Sequence, residues 1–137
     1  LVPYIGSFEF KLGRESWFHL DLPFHLFHFT EEGLSRLLRK KGFKLKKIKR
    51  FHLEYSIFGW LQTLLNFSKV RFNLLYDMLK SGSLRGDNTD QINVFGIIAT
   101  LLLLPIYLPL ALSFSILEPI LFKRGGIIQV YASKEQT

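Results

Sequence analysis

Five residues able to do chemistry crowd into one short stretch. In WFHLDLPFHLFHF, Trp17, His19, Asp21, His25 and His28 fall within twelve positions. Imidazole titrates near neutrality, so His25 and His28 are candidates to take a proton from a hydroxyl nucleophile. Asp21 can orient an imidazole or accept a hydrogen bond from a substrate. The same histidines have a structural use: satisfying backbone groups and tying down the loop ahead of a helix. His19 and Asp21 with a later histidine also contain the ingredients of a two-His-one-carboxylate iron site. The spacing argues against that, because such ligands come from separate strands and His25 follows Asp21 by only four residues, across Pro23. No metal site is expected. The chain has no cysteine, which excludes a thiolate zinc site, a cysteine nucleophile and a disulfide scaffold.

The elements around this cluster can be read from pattern. Residues 1–29 are rich in aromatics, glycine and proline without a sustained period, and read as a short strand end followed by an ordered loop. FTEEGLSRLLRKKGF is a helix signature. Thr30 is its N-cap, Glu31 and Glu32 complement the positive end, Arg39, Lys40 and Lys41 the negative end, and Gly42 the C-terminal stop. Leu34, Leu37 and Leu38 make one narrow apolar face. FKLKKIKRFHL alternates in part and reads as a lysine-rich edge strand. From Ile57 to Lys80, Leu61, Leu64, Leu65, Phe72, Leu75 and Leu79 recur at helical steps, giving one amphipathic helix or two shorter ones. The loop SGSLRGDNTDQ follows, and the tail turns at Gly125 and Gly126 into a strand from Ile127 to about Ala132.

With 137 residues the chain suffices for one domain, and its 48% hydrophobic content excludes a disordered basic tail. Eighteen basic residues against eleven acidic ones leave a net charge of +7. Nine of the eighteen lie between Arg36 and Arg50. No nucleic-acid-reading motif accompanies them, so anionic lipid headgroups are the better partner, with a merely solvated face as the alternative. The opening LVPYIGSFEF lacks the basic and apolar regions of a signal peptide and reads as the middle of a longer chain.

The order VPYIGS, WFHLDLPFHLFHFTEEGLSRLLRKKGF, FKLKKIKRF, FGWLQTLLN and GGIIQVYASK resembles the C-terminal half of a class I S-adenosylmethionine-dependent methyltransferase. The likeness is greatest to the broad bacterial group that includes the ubiquinone-biosynthesis O-methyltransferases. The pattern D-x-P-x-H-x-x-H-F-T followed by L-x-x-L-L-x-x-x-G-F carries most of it, through Asp21, Pro23, His25, His28, Phe29, Thr30, Leu34, Leu37, Leu38, Gly42 and Phe43. Phe24 departs from the group, which often has arginine or another polar residue there.

The resemblance implies an α/β fold, the C-terminal part of a Rossmann-like sheet. Leu1 to Pro3 would end the fifth strand, 31–41 form the last major helix, 43–51 the sixth strand and 127–133 the seventh. Residues 52–124 would be a helical, membrane-prone insertion between the last two strands. It further implies S-adenosylmethionine as cofactor of the complete parent, with no cofactor-binding residue in these 137, since the glycine-rich loop and the following acidic residue are not among them. The piece alone is then expected to be inactive and poorly soluble. The acceptor would be a small or lipid-like molecule, with Trp17, His19 and Asp21 binding it and His25 and His28 acting as base or orienting group. Trp17 and Phe18 read as pocket wall.

Residues 92–117 carry no charge and as helix would span about 39 Å. One crossing would place the sixth and seventh strands on opposite sides of a bilayer, although they belong to one sheet. Two short arms bending near Pro105 and Pro109 avoid this, as a re-entrant or monotopic hairpin on the cytoplasmic side of a bacterial inner membrane. A silent membrane-anchoring or interaction module, and a hairpin buried at a dimer interface, are the alternatives.

Overall fold

The computed structural model describes residues 1–21, 25–82 and 94–134. Pro23 and Phe24, the greater part of the loop after Ser81, Ile92 and the last three residues lie outside the described residues. The elements in chain order are β1 (Val2–Pro3), α1 (Phe8–Gly13), α2 (Glu31–Lys40), β2 (Phe43–Lys49), α3 (Leu53–Phe67), α4 (Leu74–Ser81), α5 (Val94–Phe122) and β3 (Ile127–Lys134). Helices and strands mix, with a small three-stranded antiparallel sheet and one long apolar helix.

The sheet order is β1-β3-β2, with β3 antiparallel to both neighbours. Val2 faces Ile128, and Ile48 faces Val130. β2 holds a bulge between Leu45 and Lys47. That extra residue explains the imperfect alternation: Phe43, Leu45 and Ile48 turn inward while Lys46 and Lys47 are both exposed. Tyr4, Leu34 and Ile128 form a small core beneath the sheet, with Leu38 packed on it.

α2 forms as its sequence demands. The Thr30 hydroxyl accepts from the Gly33 N–H at 3.0 Å, and Gly42 takes φ +75° past the C-terminus. Leu34 is buried, whereas Leu37, expected on the same face, is 45% exposed. The ordered-loop reading of residues 4–29 needs correction. Six of them form α1, capped by Ser7, whose hydroxyl accepts from the Phe10 N–H at 3.0 Å, and 3-10 turns follow at Arg14–Ser16 and Phe18–Leu20. So short a helix shows no period; its stability comes from its cap and from packing on α3.

The Ile57–Lys80 segment resolves into two helices, α3 and α4, separated where Lys69 and Asn73 adopt positive φ. α5 corrects a second expectation. It runs unbroken for 29 residues through Pro105, Pro109 and Pro119, not as two arms. Each proline deletes one donor, and Pro105 and Pro109 stand four residues apart on the exposed face, where a missing bond can be absorbed by curvature. α5 is long and apolar enough to cross a membrane. α3 lies antiparallel along it: Trp60 meets Glu118 and Phe114, and Ser68 meets Tyr107. Trp60, Leu61, Leu65 and Ala111 make the core between them.

Candidate functional site

A cavity of about 400 Å³ opens beside β1. Val2 and Pro3 of β1 and Ile127 of β3 form one wall, and Glu54, Tyr55 and Phe58 of α3 with Tyr76 of α4 form another. Phe18, His19, Asp21 and His25 close it from the loop. Three rings make its aromatic corner. Phe18 lies edge-on to Phe58 at 5.3 Å and to Tyr76 at 5.2 Å, an arrangement that suits an apolar or ring-bearing guest.

The loop earns its shape from a few polar contacts. Asp21 has φ 32°, and its carbonyl accepts from the His25 N–H at 3.1 Å. This turn sets His25 Nδ1 3.6 Å from Asp21 Oδ2, both side chains partly exposed. The imidazole and the carboxylate thus stand close together at a cavity wall, beyond hydrogen-bond distance. His28 is placed differently. Its Nε2 is 3.3 Å from the His19 carbonyl and 3.2 Å from that of Leu20, so as a donor it ties the loop to the 3-10 turn. Trp17 is fully buried behind the cavity, with its ring edge-on to His19 at 5.5 Å and 5.8 Å from His28. Of the five candidates, His19, Asp21 and His25 reach the cavity, while Trp17 and His28 support them.

Behind His19 sits a polar cluster that the sequence pattern did not single out. Glu9 is fully buried, and its Oε1 accepts from the Thr63 hydroxyl at 3.1 Å. Burial, reinforced by the nearby Glu118 carboxyl, pushes the Glu9 carboxyl well above the usual carboxylate range. Burial, and then His25, lowers His19 to about 3. With His19 lowered to about 3, the 3.9 Å gap between its Nε2 and Glu9 Oε1 is not an ion pair near neutrality. Glycine makes room for them: a Cβ at Gly126 would stand 2.0 Å from Glu9 Oε2, and one at Gly59 would stand 2.7 Å from His19 Nε2. Glu118 joins three elements, accepting from the Phe8 N–H at 2.6 Å, the Glu9 N–H at 3.4 Å and the Trp60 indole at 3.0 Å.

Among the described residues no group of three or more His, Asp or Glu is placed to hold a metal ion. Gly125 packs on the Arg50 carbonyl and Gly126 on the Glu9 carboxyl. The cavity residues missed from sequence were Glu54, Phe58 and Tyr76. Glu54 and Phe58 are four residues apart on α3, a spacing that marks one face but not what it faces.

Comparison of the chain with protein-family models, with curated proteins and with solved structures gave no match.

Proposed function

We propose that this chain is the acceptor-side, C-terminal part of an S-adenosylmethionine-dependent methyltransferase domain of Rossmann-like topology, working at a membrane on a small or lipid-like acceptor. The observation that carries the reading is the pairing of residues 2–3, 43–49 and 127–134 in one sheet, although residues 50–126 separate the last two strands. The sequence resemblance implies that those three segments belong to one sheet. A cavity beside them, walled by aromatic rings and carrying His19, Asp21 and His25, is a further support.

In this reading the cofactor would be held by the N-terminal half of such a domain. What these residues do is seat the acceptor. Phe18, Phe58 and Tyr76 receive its apolar part, and His25, with the Asp21 carboxylate 3.6 Å from its Nδ1, takes the proton of an attacking hydroxyl. His19 stays neutral and His28 holds the loop. A second reading, a silent membrane-anchoring or interaction module, is favoured by the breadth of apolar surface that α5 exposes.

Translation of the source locus upstream of Leu1 tests the two. A strand, a glycine-rich loop and an acidic residue about 20 positions further on are expected within about 150 residues. An upstream frame without that unit would leave the anchoring module.

A further inference from the structure

α5 has an unequal distribution of neighbours. Gly96, Thr100, Ala111, Ser115 and Glu118 are buried, and with Leu103, Leu104, Tyr107 and Phe114 they mark one stripe at helical spacing against α3 and α4. The opposite face carries Ile98, Leu102, Leu112 and Ile116, each at least 39% exposed. A helix apolar all round is stable only when its whole circumference is in an apolar medium, and protein supplies that medium for one stripe alone.

Two orientations in a bilayer satisfy the outer face, and the charges of the antiparallel arm choose between them. Ser68 Oγ meets Tyr107 Oη at 2.5 Å, which fixes the end of α3 near the middle of α5. Lys69 is the next residue and is exposed. If α5 crossed the bilayer along its length of about 44 Å, Lys69 would sit near the hydrocarbon midplane, with Arg71 and Asp77 close behind. A lysine charge there is costly, while Arg71 and Asp77 would enter as an ion pair at 2.8 Å. With α5 lying parallel to the surface, the α3 and α4 arm faces water and Lys69 reaches headgroups. Exposed Lys123 and Arg124 then meet the same surface at the end of α5.

We propose that α5 lies in the plane of one anionic leaflet, its Ile98, Leu102, Leu112 and Ile116 face in the acyl chains and Lys69 and Lys123 on the headgroups, so that the chain is monotopic. This rests on the membrane association proposed above and not on methyl transfer. It also removes the topological conflict, because α3 leads out and α5 returns along the same surface, leaving β2 and β3 on one side.

The absence of cysteine allows single-cysteine labelling of the whole chain. Lys44→Cys, Ser81→Cys and Leu102→Cys, all at exposed positions, are reconstituted on sealed vesicles containing phosphatidylglycerol and treated with an impermeant maleimide. Lys44→Cys and Ser81→Cys are expected to react equally from outside without detergent, while Leu102→Cys reacts only after detergent. Lys69→Gln with Lys123→Gln is expected to lower the partition onto these vesicles roughly 30-fold, from about 1 kcal/mol per basic residue. Protection of Ser81→Cys until detergent is added overturns the in-plane seat in favour of a crossing. Failure of the unmodified chain to float with the vesicles overturns membrane association itself, whether or not it forms a dimer instead.

Discussion

His25 and His28 stand three residues apart and have different surroundings. His25 faces the cavity beside Asp21, whereas His28 Nε2 spans two backbone carbonyls. Under the proposed function, His25→Ala in the protein with its natural upstream sequence is expected to lower methyl transfer by about 10²-fold or more, the range of a lost general base, with the melting temperature nearly unchanged. His28→Ala is expected to cost about 1 kcal/mol, the net value of a typical hydrogen bond, and its turnover should follow its loss of fold. Equal turnover of the His25 variant and the parent would remove that residue from the chemistry. The buried pair gives the residue scale its pH dependence. His19 falls to about 3 from an ordinary 6.5, so the stability tied to its neutral form is present above 6.5 and is lost as pH falls toward 3. Glu9 has the opposite sign: with its folded value raised above 4.5, its contribution is present below 4.5 and is lost as pH rises through the folded value. His19→Gln should abolish the acid-side loss, and Glu9→Gln the alkaline-side loss, in urea midpoints measured across pH. An unaltered pH profile in either variant would contradict the corresponding assignment. The histidine cluster was legible in the sequence because its members are local. Glu9 was not, because its burial depends on Thr63 and on the space left by Gly59 and Gly126, far away in the chain.

At the scale of elements, legibility followed length and capping. α2 carries its signals in its own residues, and Thr30→Ala is expected to cost about 1 kcal/mol, the usual loss for an N-cap, read from chemical denaturation. α1 escaped because six residues make no period and its cap, Ser7, follows directly on Gly6. α5 was legible as apolar helix but not as continuous. Proline predicts a break only where no neighbour holds the two halves together, and here α3 packs along one side. Glu118 is the polar latch of that packing. Trp60→Phe keeps the ring stack on Phe114 but leaves Glu118 Oε2 without its indole donor. A loss of about 1–3 kcal/mol is expected, the range for a buried acceptor left unsatisfied. Unchanged stability would mean that the Trp60 bond is not what holds α5 to α3.

For the whole molecule, the lysine-rich alternation marked β2 as an edge, and the observed sheet leaves it there, paired among the described residues only with β3. The order β1-β3-β2 lay beyond pattern reading, since pairing across residues 50–126 is set by the fold and not by local sequence. The same holds for the cavity, which needs β1, α3, α4 and the histidine loop at once. Under the proposed function these parts belong to a methyl-transferring domain. Its most direct test needs no knowledge of the acceptor: equilibrium binding of radiolabelled S-adenosylmethionine to the protein expressed with its natural upstream sequence. Saturable binding displaced by S-adenosylhomocysteine is expected, whereas a folded protein with no saturable binding would overturn the proposed function.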